Sequence, residues 1–222
     1  MSRGAYASLN FGGHWGDNAD AVRENFCLLG KAADFSLDRL VRVRQVHGAR
    51  VLAAHDVDET SEADGLWFHR DHVGPSQVVG VTTADCVPIL LVDQAATAVA
   101  ALHSGWRGTV ANIAGAGVET FADAGIRRDS ILAAIGPCIG VGAFEVDNEV
   151  AKRFPKTVVR RAHGSKAHVD LVAQVRAQLI EAGVPAGQIC RVGGCTYTRR
   201  DLYFSYRRDG TKTGQHLSFI GL

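Results

Sequence analysis

Three short segments carry the side chains best suited to chemistry: "RQVHG" with His47, "TTADC" with Cys86 and "LHSGWRGT" with His103. Two imidazoles and a thiolate make a three-ligand set suited to zinc. Three protein ligands leave a fourth position open for water or substrate, the mark of a catalytic site. Each residue also has an ordinary reading. Cysteine often packs as a small hydrophobe, and a histidine before a glycine suits a turn. The spacing is long and irregular, so the three make no motif by themselves.

"HSGWRGT" adds a second feature. A glycine-rich turn that opens a helix presents N–H groups at the positive end of the helix dipole, which suits an anion. Arg107 would add a planar fork for phosphate or carboxylate. A plain strand-to-helix turn with a surface arginine reads the same residues equally simply. Asp85, beside Cys86, is expected to accept a hydrogen bond from a ligand histidine. Arg44, Asp85 and Arg107 are together assigned to the substrate side of the site. The Gly/Pro-rich "AIGPCIGVGAFEVDNEV" lacks the glycine order and acidic partner of a dinucleotide site. It reads as a cleft wall, with Cys138 buried and structural.

Elements must hold these groups in place. "VPILLVD" and "ATAVAALH" read as buried strands flanking the site residues. "LVRVRQVHG" alternates, Val41 and Val43 against Arg42 and Arg44, and predicts a strand ending at His47. "RVLAA", "QVVGVTT", "SILAAIG", "QICRVGG" and "QHLSFIGL" add further strands. "GTVANIAGAGVETFADAG" predicts one helix, with Val110, Ile113, Gly117, Val118 and Phe121 inward and small residues at 114–117 for close packing on a sheet. "HVDLVAQVRAQLIEAGV" predicts another, with Leu171, Val172, Val175, Leu179 and Ile180 buried. "NADAVRENFCLLG" predicts a third, capped by Asn18 and closed by Gly30. Strands outnumber helices and do not alternate with them regularly. That favours a mixed-sheet α+β domain over a doubly wound one.

The totals bound the function. The 222 residues suffice for a real core and are read as one domain, 1–222. The composition, 46% hydrophobic and 21% charged with a formal charge of +1, is that of an ordinary globular protein. No basic stripe points to nucleic acid, no apolar run is long enough to span a membrane, and no secretory signal is visible. The five cysteines, at 27, 86, 138, 190 and 195, are scattered and odd in number. A reducing cytoplasm is the natural setting for them.

Taken in order, "SLNFGGHWGDN", "RQVHG", "ADG", "TTADCVPILL", "ALHSGWRGT", "AIGPCIG", "FEV" and "FSYRRDGTKTGQ" resemble the YfiH-like, or laccase-domain, family, also called multicopper polyphenol oxidases. The resemblance runs over nearly the whole chain. It implies a four-layer α/β/β/α arrangement of mixed sheets related to cysteine hydrolases. It implies zinc held by His47, Cys86 and His103. It also implies phosphorolysis of adenosine, inosine and S-methyl-5′-thioadenosine, with adenosine deamination as a side activity; nucleoside and phosphate are then the partners. Bacterial members are also linked to peptidoglycan editing, on a UDP-MurNAc amino acid carrying the wrong residue. Two departures stand out. Family members usually carry a further N-terminal strand with an arginine and two glycines, and this chain starts almost at "SLN", so an edge strand is expected to be missing. After "GPCIG" the family often has Pro and Cys, where this chain has "VGAFEV".

The residues also limit the chemistry. The nucleobase-deaminase pattern H-x-E with P-C-x-x-C is absent. None of the nine histidines forms an H-x-H pair, so four-copper polyphenol oxidation is not expected. Copper is nevertheless a competitor for such ligands in vitro, because it binds them more tightly than zinc. Two rivals to the phosphorylase remain. One is a metal-free hydrolase with Cys86 as nucleophile and His103 as base. The other is a small-molecule binding module with a non-catalytic zinc.

Overall fold

The computed structural model describes every residue except 14, 59, 73–76 and 162–165. His14 of the "SLNFGGHWGDN" segment therefore lies outside the described residues. The strands are β1 Leu40–Val41, β2 Val51–Ala53, β3 Gly65–His69, β4 Val78–Thr83, β5 Val87–Asp93, β6 Ala98–Ser104, β7 Ile131–Ile135, β8 Glu145–Val146, β9 Val159–Arg160, β10 Ala167–Val169, β11 Ile189–Arg191 and β12 His216–Gly221. The α-helices are α1 Ala19–Ala32, α2 Trp106–Val110, α3 Ile113–Asp123, α4 Asn148–Ala151, α5 Leu171–Glu181 and α6 Tyr206–Asp209.

Six strands form one mixed sheet in the order β11-β7-β5-β6-β3-β2. The β5–β6 and β3–β6 pairs are antiparallel, and β2–β3 is parallel. Two three-stranded sheets, β1-β4-β12 and β8-β10-β9, complete the set. The strand period explains the layering. Along β6, Ala98, Ala100 and Leu102 join one core cluster, while Val99 and Ala101 join the other. Successive side chains leave a strand on opposite faces, so a strand buried on both faces must be apolar throughout, as β6 nearly is. The first cluster packs Leu102 and Leu91 against Val118 and Phe121 of α3 and Leu179 of α5. The second packs Leu66, Phe68 and Val99 against Val79 and Val81 of β4. Each such large side chain contributes about 1.5–3 kcal/mol on burial. Gly117 allows α3 its close approach: a Cβ there would lie 2.4 Å from Leu102 Cδ1.

Several sequence-based expectations need correction. The predicted strand over 40–48 forms only as Leu40–Val41, with a single bridge from Arg44 to Glu62. The long helix predicted from Gly108 breaks at Asn112, which takes a left-handed φ of 62° and caps α3 by accepting from Gly115 N at 3.1 Å. Asparagine tolerates that conformation and caps well. Val110 and Ile180, expected inside, are exposed. Helix α1 does start at Asn18, whose side chain accepts from Asp20 N and Ala21 N, but it runs two residues past Gly30. Among the described residues no helix is long and apolar enough to cross a membrane.

Candidate metal centre and its cavity

Cys86 stands at the entry to β5 and His103 near the end of β6, and Pro88 pairs with His103 across the two strands. His47 does not end a strand. It occupies a turn with φ +62°. The ligand atoms of His47, Cys86 and His103 lie within 4.8 Å of one another, the one such cluster among the described residues. The two imidazoles meet edge to face at 4.8 Å between centroids.

One carboxylate sets both histidines. Asp64 is completely buried. Its Oδ1 accepts from His103 Nδ1 at 2.7 Å and from His47 N at 2.9 Å; its Oδ2 accepts from Val46 N at 3.2 Å and Gly48 N at 2.5 Å. The backbone donors of residues 46–48 thus go to a carboxylate rather than to a strand ladder, which is why the predicted strand stops short. Burial alone pushes the Asp64 carboxyl up, but His103 and the N–H groups of Gly48 and His47 outweigh it and hold it below its usual range. With Nδ1 committed to Asp64, His103 turns Nε2 toward Cys86 and the cavity. Gln45 ties the same turn to β4: its amide donates to Thr82 O at 2.9 Å and accepts from Thr82 N at 2.8 Å.

The charges of the cluster are coupled. Burial raises the Cys86 thiol, yet the adjoining His103 and His47 overcome this and bring it down to about 6. For His103, burial disfavours the cation, but the Cys86 thiolate and Asp64 raise it to about 9. Gly105 lies against all three ligands. A Cβ there would sit 2.9 Å from His47 Cδ2 and 3.2 Å from Cys86 Sγ.

These residues fit a zinc ion. Bonds of about 2.0–2.3 Å place tetrahedral N and S ligands roughly 3.3–3.6 Å apart, within reach of the observed spacing by small side-chain rotations. The donor set is a thiol that favours its thiolate and two imidazoles, one with its second nitrogen already satisfied, and no carboxylate among them. That is a borderline-soft set suited to zinc or copper rather than to magnesium or calcium.

The cluster opens on a cavity of about 560 Å³, well within the range of small-molecule sites. Phe11, Trp15, Phe144 and Tyr206 supply its aromatic wall, and Arg42, Arg44 and Arg207 its cationic groups. Trp15 and Tyr206 stand 5.3 Å apart. Arg44 pairs with Glu62.

Two residues singled out from sequence are placed differently from the geometry expected for them. Arg107 does not line the cavity: it is exposed, its guanidinium 4.3 Å over the Trp106 ring. Helix α2, in which it is the second residue, has only five residues, and Gly105 packs against His47, Cys86 and His103. Asp85 lines the cavity but hydrogen-bonds to no histidine among the described residues; its carboxylate accepts from Thr196 Oγ1, Ser205 Oγ and Arg207 N. The orienting acid is Asp64, in the "ADG" segment, and the cationic residue missed by sequence reading is Arg207, in "FSYRRDG".

Fold and site together define a mixed-sheet α+β protein with a His/Cys/His cluster able to hold a metal ion, lining an aromatic and arginine-rich cavity. All residues from 1 to 222 match the family model described as "Multi-copper polyphenol oxidoreductase laccase", and the chain belongs to that family. It is 40% identical to the purine nucleoside phosphorylase YfiH of Escherichia coli K12 over 223 residues, covering 98% of this chain and 87% of that protein. It is likewise 40% identical over 237 residues to adenosine deaminase RL5, from an unknown prokaryotic organism, covering 99% and 88%. The crystal structure of YlmD from Geobacillus stearothermophilus superposes with a TM-score of 0.89 at 35% identity, over 99% of this chain and 87% of that one. That of YfiH from Bacillus licheniformis gives 0.90 at 30%, over 100% and 88%.

Proposed function

We propose that the chain is a zinc-dependent purine nucleoside phosphorylase acting on adenosine, inosine and S-methyl-5′-thioadenosine, with adenosine deamination as a side activity. The observation that carries the reading is the His47–Cys86–His103 cluster opening on an aromatic, arginine-rich cavity. The 40% identity to proteins named for these two activities supports it. We place the chain in the cytoplasm on its five unpaired thiols, and in the four-layer arrangement related to cysteine hydrolases on its family resemblance.

His47, Cys86 and His103 would hold the zinc, and the chemistry it supplies when bound is Lewis-acid activation of an oxygen-bearing reactant. The Trp15 and Tyr206 rings, packed against one another, offer the purine an apolar face. Arg207, with Arg44 held by Glu62, gathers the phosphate by charge-assisted hydrogen bonds. Phosphate so placed attacks the ribose C1′ as the bond to the purine nitrogen breaks. The aromatic wall excludes water, which would otherwise compete for C1′. Asp64 keeps His103 in one tautomer throughout.

A second reading has its own observation. Asp64, His103 and Cys86 stand in the order of an orienting acid, a base and a nucleophile. Without metal, that order suits hydrolysis of an amide, as in a UDP-MurNAc amino acid. Incubation of purified protein with inosine and phosphate tests both. The phosphorylase reading expects ribose 1-phosphate and hypoxanthine, with turnover lost on chelation and restored by zinc. Amino-acid release from the muramyl substrate by chelated protein, with no phosphate-dependent cleavage of inosine, would replace it with the hydrolase. Binding of nucleoside without turnover of either substrate would leave a binding module.

A further inference from the structure

We propose that Asp85 is a positioning residue, fixing the Ser205–Arg207 segment as a substrate wall at a set distance from the neighbouring ligand Cys86. The proposal rests on the nucleoside reading above and names the device that sets the shape of that cavity.

Asp85 takes a φ of +88°, rare for a residue with a side chain. Its carboxylate is nearly buried and is spent entirely on distant segments. Oδ1 accepts from Thr196 Oγ1 at 2.5 Å, and Oδ2 accepts from Ser205 Oγ at 3.0 Å and Arg207 N at 2.6 Å. Thr196 and Ser205 have no exposed surface. The Asp85 carbonyl accepts from Ile139 N at 2.9 Å. Three loops, around residues 139, 196 and 206, therefore converge on the residue covalently joined to Cys86.

The donors decide the role. None comes from a ligand histidine, so the carboxylate does not tune the metal ligands by hydrogen bonding. Two of the three come from the segment that carries Tyr206 and Arg207 into the cavity. The twin arginines divide the work. Arg208 donates to the carbonyls of Thr196, Tyr197 and Tyr203 and pairs with Asp209, locking the loop behind the wall. Arg207 donates to Glu145 O at 2.8 Å, leans over Phe144 and faces the cavity. A buried carboxylate with one donor removed bears an unmatched charge, so the segment has little freedom to shift.

The test measures inosine binding to zinc-loaded protein by calorimetry, with zinc content determined for every variant. Asp85→Ala should weaken inosine binding about tenfold or more with zinc retained, because small displacements of a positioning group are costly. Asp85→Asn should restore most of the affinity. Its carboxamide oxygen can accept from Ser205 and Arg207 N while its amide donates to Thr196 Oγ1. In an Arg207→Ala, Tyr206→Ala background, Asp85→Ala should add little, since the wall it places is gone. Unchanged affinity in Asp85→Ala overturns the proposal, and so does full additivity in that background. If Asp85→Ala does not fold, Ser205→Ala is measured instead: weaker binding with zinc retained supports the proposal, and wild-type affinity overturns it. Wild-type protein that fails to bind inosine overturns the nucleoside reading first.

Discussion

Cys86 and Cys138 stand at the same end of two neighbouring strands, one just before β5 and the other just after its antiparallel partner β7. Burial pushes both thiols up. For Cys138 nothing outweighs it, and that thiol sits at about 12. For Cys86 two histidines do outweigh it, and the thiol falls to about 6. Position at a strand end therefore does not make a site. What separates the two sulfurs is Asp64, which brings His47 and His103 to one of them.

The largest effect expected from this contrast is in reactivity. In metal-free folded protein at neutral pH, Cys86 is mostly thiolate and Cys138 almost wholly thiol, so iodoacetamide should modify Cys86 faster by several orders of magnitude. The rate at Cys86 should rise with pH, pass half its maximum near 6 and level off about one unit higher, because its thiolate fraction grows until the thiol has titrated. Mass-spectrometric mapping of the modified thiols checks this. Zinc should protect Cys86 and leave Cys138 as it was.

A smaller change tests the source of the difference. Asp64→Asn keeps an acceptor for His103 and His47 N but turns an amide toward the N–H groups of Val46 and Gly48, donor against donor. Loss of such a supporting partner costs about 10–100-fold in metal affinity. Competition against a fluorescent zinc chelator should show that loss; unchanged affinity would mean that Asp64 does not organise the ligands. The smallest effect belongs to the other sulfur. Cys138→Ala removes a buried, well-packed atom and should cost about 1 kcal/mol of stability in urea unfolding, with zinc binding as in the wild type.

The same contrast shows how much the sequence could say. Apolar runs predicted β5 and β6, and their ends pointed to Cys86 and His103, because a strand buried on both faces leaves a continuous apolar signal. Asn18 and the small residues near Gly117 were legible for similarly local reasons. Asp64 was not. Sequence adjacency favoured Asp85 as the partner of a ligand histidine. The pairing of Gly65 with Leu102 instead carries Asp64 to His103, across 39 positions of sequence. Arg207 was hidden by the same kind of distance, since its backbone N–H donates to Asp85 across 122 positions of sequence. The break at Asn112 was hidden differently: the apolar spacing runs through it, and only the left-handed turn interrupts the helix.

The central claim is that His47, Cys86 and His103 hold one catalytic zinc ion. Metal analysis of purified wild-type protein beside Cys86→Ser tests it most directly. The account predicts about one zinc per wild-type chain, as for other three-ligand sites, and little in the variant, with circular dichroism showing both folded. A Cys86→Ser protein that keeps its full zinc complement would contradict it.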